Sequence, residues 1–163
     1  MTAFSRTLAA ACALVAFGLG HAVGADARKP HTRVTAPDLP LRAGAPYSQG
    51  VMAGDLLYLS GNIGTDPTTG KPPAAFADAA RQSLDNLGRV LKAASLSWED
   101  VVKVNVYVKD MARYDEFNGI YTSVLPPPFP ARTFLAVADL PGGGQIEIEA
   151  VAVRRWGKPV GTS

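Results

Sequence analysis

The residues that most constrain the fold are four valines spaced two apart: Val102, Val104, Val106 and Val108. Alternation with a period of two places these valines on one face of a β-strand and indicates that this face is buried. Such a strand is not stable alone, and it requires neighbouring strands and a second layer over the valines. The chain is therefore predicted to contain a β-sheet that is covered on one face.

Two helices are predicted to supply that second layer. Apolar residues recur at spacings of three and four over residues 75–94, which predicts one helix. They are Ala77, Ala80, Leu84, Leu87 and Leu91. Gly88 lies beside this stripe and is predicted to let the sheet approach closely. A second helix is predicted after Asp110, which can cap it, and the prolines at 126–128 end it.

The remaining strands are predicted from short apolar or alternating segments. They cover residues 47–52, 56–60, 133–138 and 146–154, with a short strand near residues 33–35. In the last strand, Glu147 and Glu149 lie on the face opposite the apolar residues. The order of strands, helix, strand, helix and strands predicts an α+β domain with two helices packed on one face of a mixed sheet.

Residues 1–25 have the pattern of a secretory signal peptide. Arg6 gives a short positive region, residues 8–20 form an uncharged apolar run, and Val23 and Ala25 are small residues suited to a signal peptidase. A membrane anchor is the alternative, but the run is shorter than the roughly 20 apolar residues that span a bilayer. This pattern predicts a periplasmic or secreted protein with no stable membrane insertion after cleavage.

The rest of the chain divides into three predicted parts. Residues 26–42 are polar, contain three prolines, and are predicted to form a flexible N-terminal arm. Residues 43–156 form the folded domain, and residues 157–163 form a C-terminal tail. Cys12 also permits a lipoprotein interpretation of the leader, but the apolar region before it is too short.

Charge and cysteine content exclude several classes of function. The chain has 16 basic and 14 acidic residues, and no basic run forms a nucleic-acid footprint. Cys12 is the sole cysteine and would leave with the leader, so the mature chain is predicted to have no disulfide and no thiolate nucleophile. His31 alone cannot form a zinc site, and no metal or other cofactor is predicted.

The segment Phe129-Pro130-Ala131-Arg132-Thr133 places an arginine where a proline-braced turn enters a strand. A guanidinium can bind a carboxylate at two points, and Glu147 can handle a proton if it faces the same cleft. This pair suits chemistry on a small keto or imino acid. The alternatives are a structural ion pair for Arg132 and a solvated position on an edge strand for Glu147.

Taken together, these segments resemble the Rid family (YjgF-type proteins), the reactive enamine and imine deaminases. The resemblance covers roughly residues 44–155. The matching segments are residues 45–50, 60–63, 80–86, 102–110, 129–133 and 146–155. Their occurrence in this order makes the resemblance specific, although none is decisive alone.

The resemblance implies a chorismate-mutase-like homotrimer, in which three sheets form a barrel and a cleft lies at each subunit interface. It implies hydrolysis of 2-imino acids or enamines to 2-keto acids and ammonia, without a metal or an organic cofactor. Arg132 would bind the substrate and Glu147 would be its acidic partner. The residues implied to shape the cleft are Tyr47, Ser60, Gly61, Asn118 and Tyr121.

Two positions depart from the family pattern. Phe134 stands where many members have cysteine, which predicts a smaller or more apolar pocket, and Asn62 replaces the usual glutamine. Because export separates the chain from cytosolic sources of imines, a non-catalytic trimer that binds small carboxylates remains an alternative. A ribonuclease function is a third hypothesis, and the near-neutral charge argues against it.

Overall fold

The computed structural model describes residues 31–41 and 43–154. The predicted signal peptide over residues 1–25 and the predicted tail over residues 157–163 lie outside the described residues. Within the described part, no helix is both long and apolar enough to cross a membrane.

The described residues form one six-stranded mixed sheet. Its strands are β1 (Thr32–Val34), β2 (Gly50–Ala53), β3 (Leu56–Asn62), β4 (Val101–Val108), β5 (Ala131–Ala136) and β6 (Ile146–Val153). Their order across the sheet is β1-β2-β3-β6-β4-β5. The β4–β5 pair is parallel, and the other neighbouring pairs are antiparallel. The parallel pair requires a crossover connection, which the second helix supplies.

Two α-helices pack on one face of this sheet, as the sequence predicts. They are α1 (Phe76–Ala93) and α2 (Tyr114–Val124). Asp110 caps a short 3₁₀ turn immediately before α2, because its carboxylate accepts a hydrogen bond from the Ala112 N–H at 2.9 Å. The helix-facing side chains of β4 and β6 are fully buried or nearly so. The predicted α+β class is therefore confirmed.

The core contains most of the alternating valines from which the sheet was predicted. Val104, Val106 and Val108 are each 0% exposed, and they align with Ala150, Ile148 and Ile146 of β6. The prediction is wrong for Val102, which is 44% exposed, because the register between β4 and β6 shifts between Val101 and Lys103 and Val101 is buried in its place. Because partners in register point to the same face, the intervening residues of both strands lie on the other face, which is termed the open face below.

Two further sequence-based expectations differ from the structure. The strand with Glu147 and Glu149 was an edge strand in one alternative, but β6 lies inside the sheet between β3 and β4. Gly88 was expected to admit the sheet, but a side chain placed there would meet the Trp98 indole, with Nε1 at 3.4 Å from the Cβ position. Neither the interior position of β6 nor the contact of Gly88 with Trp98 can be predicted from local residue spacing, because each depends on pairing or packing between separate segments.

The described part of the predicted flexible arm is packed on the domain. Thr32–Val34 forms the edge strand β1, and residues 36–41, termed the strap, continue past it. Gln49, which is buried, accepts a hydrogen bond from the Ala36 N–H at 2.6 Å and donates one to the Leu39 carbonyl. A buried amide that satisfies backbone groups of another segment fixes that segment in place. The strap is thus part of the folded unit.

Candidate functional site

Glu147 lies on the open face of β6, directly against a glycine of the neighbouring strand. A Cβ atom added to Gly61 would overlap Glu147 Oε1 and would lie 2.8 Å from Glu147 Cδ. The register between β3 and β6 also shifts between Leu59 and Asn62, which marks a bulge at this point. The bulge and the missing side chain together leave room for the Glu147 carboxylate at the edge of β3.

A second carboxylate lies two residues further along β6 and on the same face. Glu149 Oε1 accepts hydrogen bonds from Asn105 Nδ2 at 2.8 Å and from the Tyr107 hydroxyl at 3.0 Å. Burial raises the pKa of Glu147, and the charge of Glu149 raises it further. Glu147 is therefore a better proton acceptor than an ordinary surface glutamate.

The first group of predicted site residues lines one cavity of about 670 Å³. Tyr47, Ser60, Gly61 and Glu147 all contribute to its wall. Ser60 Oγ donates a hydrogen bond to the Ser48 carbonyl at 2.6 Å, which ties β3 to the segment that contains Tyr47. Tyr47 is 57% exposed, so it belongs to the surface rather than to the core.

The second group of predicted site residues surrounds Arg132. Arg132 aligns with Val104 in the β4–β5 pair, so its side chain extends from the helix face toward α2. Its Nη2 donates to Asn118 Oδ1 at 2.7 Å and to the Tyr114 hydroxyl at 3.4 Å. Among the described residues, no carboxylate lies within ion-pair distance of Arg132. The alternative of a structural ion pair for Arg132 therefore finds no partner there.

Four aromatic rings enclose the Arg132 guanidinium. Its Cζ lies 4.8 Å from the Tyr121 ring centre and within 6 Å of the rings of Tyr114, Phe117 and Phe134. Aromatic faces attract a cation without neutralising it, so the guanidinium stays available to an anion. Phe134 packs edge-on against Tyr114 with ring centres 5.0 Å apart.

The Tyr121 hydroxyl is buried beside Arg132. It is one of the buried polar atoms that find no hydrogen-bond partner within the described part of the chain. Burial raises the pKa of Tyr121, and the positive charge of Arg132 opposes this shift. A neutral phenol is therefore available as a donor next to the guanidinium.

The two groups do not converge within one chain. Glu147 occupies the open face with Tyr47, Ser60 and Gly61 nearby, whereas Arg132 occupies the helix face with Asn118 and Tyr121. The prediction that Arg132 and Glu147 share one cleft is not met inside a single subunit.

Sequence reasoning omitted two parts of the site. Tyr114 contacts Arg132. Its spacing of four residues from Asn118 and seven from Tyr121 places all three on one helix face, which could have indicated that it belongs to the site. The strap also lines the cavity near Glu147, and no local pattern indicated this. Within residues 31–41 and 43–154, no cluster of three or more His, Cys, Asp or Glu side chains could hold a metal ion.

Comparison with known proteins identifies the class to which this fold and site belong. The family model described as endoribonuclease L-PSP matches residues 38–154. The chain belongs to this family, which is the Rid (YjgF-type) family that its motifs resemble.

Individual relatives support this membership. The Escherichia coli K12 protein named 2-iminobutanoate/2-iminopropanoate deaminase is 45% identical over 113 residues, which cover 68% of this chain and 88% of that protein. The Bos taurus protein of the same name is 42% identical over 110 residues, covering 67% and 80% of the two chains. The crystal structure of the E. coli YjgF gene product superposes with a TM-score of 0.70 at 42% identity, covering 76% of this chain and 99% of that one.

Proposed function

We propose that this protein hydrolyses reactive 2-imino acids, or their enamine tautomers, to 2-keto acids and ammonia. The observation that supports this most directly is Arg132, a half-buried guanidinium held by Asn118 and aromatic rings and without a carboxylate partner in the described part of the chain. The relatives named as imine deaminases support the same chemistry.

The opposite placement of Arg132 and Glu147 supports a site assembled between subunits. In a closed ring, the helix face of one copy around Arg132 can meet the Glu147 edge of the next copy. The open face also exposes large apolar side chains, among them Tyr58 and Leu135, each 49% exposed. Exposed apolar area of this kind marks an interaction surface. The homotrimer implied by the family would cover this face and complete three sites.

In this arrangement Arg132 binds the substrate carboxylate. Its Nη2 donates to Asn118 and to the Tyr114 hydroxyl, whereas Nε and Nη1 donate to no residue in the described ranges, so N–H groups of the guanidinium remain available to a carboxylate. This ion pair fixes the imine carbon near Glu147 of the neighbouring subunit. Orientation of this kind lowers the barrier because an imine is already electrophilic.

Glu147 then moves the proton that hydrolysis requires. A water oxygen bonds to the imine carbon, the C=N electron pair moves to nitrogen, and the Glu147 carboxylate accepts a proton from the water. Glu147 delivers this proton to nitrogen, which gives a carbinolamine. The Glu147 carboxylate then accepts the hydroxyl proton and passes it to the same nitrogen, the C=O bond forms, the carbon–nitrogen bond breaks, and ammonia leaves. The raised pKa of Glu147 suits it to both halves of this cycle.

Location in the periplasm or outside the cell is part of this proposal. Its support is the leader pattern of residues 1–25 in the sequence. The near-neutral charge gives no support to RNA as a substrate, although the family is described as endoribonuclease L-PSP.

The test uses residues 26–163 together with an amino-acid oxidase that releases imines. Semicarbazide traps the imine that survives, so hydrolysis appears as a loss of semicarbazone. We expect Arg132→Ala to restore the semicarbazone signal while Arg81→Ala, at an exposed arginine on α1, leaves the loss unchanged. Normal turnover by Arg132→Ala would contradict the proposal. Keto-acid binding without any imine hydrolysis would instead indicate the small-carboxylate binding protein.

A further inference from the structure

We propose that the strap, residues 36–41, forms a subsite for the substrate side chain, and that the preferred substrates are 2-imino acids with apolar side chains of leucine or methionine size. This inference deepens the proposed function and rests on it. It concerns the part of the Glu147 cavity that lies away from the reacting atoms.

The cavity is larger than the reaction alone requires. Its volume of about 670 Å³ falls within the range of pockets that enclose drug-sized ligands, roughly 300–1,000 Å³. The imine of alanine has a single methyl group beyond its reacting atoms and would leave most of this space to water. A longer side chain can occupy that space without any change to the groups around Glu147.

The surface beyond Glu147 is largely apolar. Leu39, Pro40 and Leu41 of the strap form one wall of the cavity. The remaining apolar lining comes from three other segments of the fold, as Ile63, Pro67, Leu87, Val90 and Pro141. A surface of this composition gains free energy by covering methylene and methyl groups rather than charges.

Several polar groups of the same cavity are already engaged with other parts of the protein, and one of them is an acid. Asn62 Oδ1 accepts from the Gly64 N–H at 2.9 Å and from Asn86 Nδ2 at 3.1 Å. The Asp66 carboxylate accepts from the Thr68 N–H at 2.7 Å and from its hydroxyl at 2.6 Å. No lysine or arginine in the described ranges lines this cavity, so an acidic substrate side chain finds no cation.

The strap is held in position before any ligand arrives. Gln49 binds Ala36 and Leu39 through both halves of its amide, and Arg89 Nη1 reaches Asp38 Oδ2 at 3.2 Å. The Arg89–Asp38 pair is exposed and contributes little, so the buried Gln49 amide is the main anchor. A preformed wall avoids the cost of ordering a loop upon binding.

The test measures binding of stable keto acids, which replace the short-lived imines. We expect 4-methyl-2-oxopentanoate to bind at least about tenfold more tightly than pyruvate in calorimetry, because each buried methylene contributes about fourfold. Leu41→Ala should remove most of this preference and leave pyruvate binding unchanged. Leu41→Phe, which fills the cavity, should weaken binding of the longer acid selectively. Met111→Ala, which removes an exposed apolar side chain that does not line the cavity, is the matched control.

The outcomes separate this inference from the proposed reaction. Equal binding of both keto acids, no detectable binding of the longer one, or tighter binding of an acidic keto acid would overturn the subsite, whether or not imines are hydrolysed. A preference for the longer keto acid that depends on Leu41 would support the subsite even if no imine is hydrolysed, and the reaction alone would then fail.

Discussion

Arg132 and Glu147 extend from opposite faces of one sheet, and strand β4 lies between the strands that bear them. Arg132 aligns with Val104 and Glu147 with Tyr107, so their backbones lie about 10 Å apart across the sheet and about 10 Å apart along it. In the proposed trimer, one chain would therefore offer Arg132 to one neighbour and Glu147 to the other.

This relationship is best tested by mixing two inactive variants. Arg132→Ala and Glu147→Gln should each lose at least about 100-fold in kcat/KM, because each removes a charged group from the reacting centre. After denaturation and joint refolding, random trimers should regain about a quarter of the wild-type activity, since one interface in four then combines an intact Arg132 with an intact Glu147.

The separately refolded variants are the control for this mixture, and each should stay inactive. If the mixture recovers no activity although native mass spectrometry shows mixed trimers, the two residues do not complement each other across an interface. The placement of the site between subunits would then be wrong.

Gly61 should be required for activity rather than for folding. In Gly61→Ala the new methyl group would collide with the Glu147 carboxylate, which must swing away from the edge of β3. We expect kcat to fall at least about tenfold with an unchanged circular dichroism spectrum, because small displacements of a catalytic group have large effects. Gly119→Ala, at a helical position with no atom near the new methyl group, should retain full activity.

The protonation of Glu147 should depend on Glu149. Burial and the Glu149 charge both raise the pKa of Glu147. On acidification, Glu147 should therefore become protonated at a higher pH than an ordinary glutamate, and activity that needs its carboxylate should be lost at that higher pH. Glu149→Gln removes one of these two causes and should move the Glu147 titration toward lower pH, without abolishing the shift due to burial. Carbon-13 NMR of labelled glutamate carboxyl groups, assigned with Glu147→Gln, measures this directly. An unchanged or higher Glu147 pKa in Glu149→Gln would contradict this account.

Gln49 should contribute measurably to stability. Gln49→Ala leaves the buried Ala36 N–H without its acceptor and frees the strap, so we expect a loss of about 1–3 kcal/mol in the free energy of unfolding. Urea denaturation of this variant and of Gln145→Ala, an exposed position, makes the comparison. A loss for Gln49→Ala no larger than for the exposed control would show that the strap is not anchored through this amide.

Local patterns predicted the two helices and the main strands, and they predicted the buried face of β4 except at Val102. The alternation of valines predicted the position of β4. The two-residue spacing of Ile146 and Ile148 predicted that Glu147 and Glu149 lie on the opposite face of β6. The stripe that predicted α1 includes Ala80, Leu84, Leu87 and Leu91, all nearly fully buried. These features depend on residues near one another in sequence, where periodicity determines which face is apolar.

The relative placement of the site residues depends on pairing between distant segments. That Arg132 points toward α2 follows from the parallel register of β4 with β5, which no local spacing encodes. The burial of Gln49 could not be predicted from local sequence either, because a glutamine is ordinarily a surface residue. Its burial is explained by its hydrogen bonds to the strap. The interior position of β6 is likewise a property of the assembled sheet.

The strap allows the shape of the cavity wall to change without a change in the sheet that carries Glu147 and Arg132. Its six residues lie outside every helix and strand, and Gln49 holds them mainly through backbone groups rather than through their side chains. A substitution at the exposed Leu41 can therefore reshape the cavity wall while the sheet, Glu147 and Arg132 stay unaltered, whereas Leu39 belongs to the buried core. A lineage with this architecture can acquire new substrates through a few neighbouring codons, without first losing the ability to hydrolyse an imine.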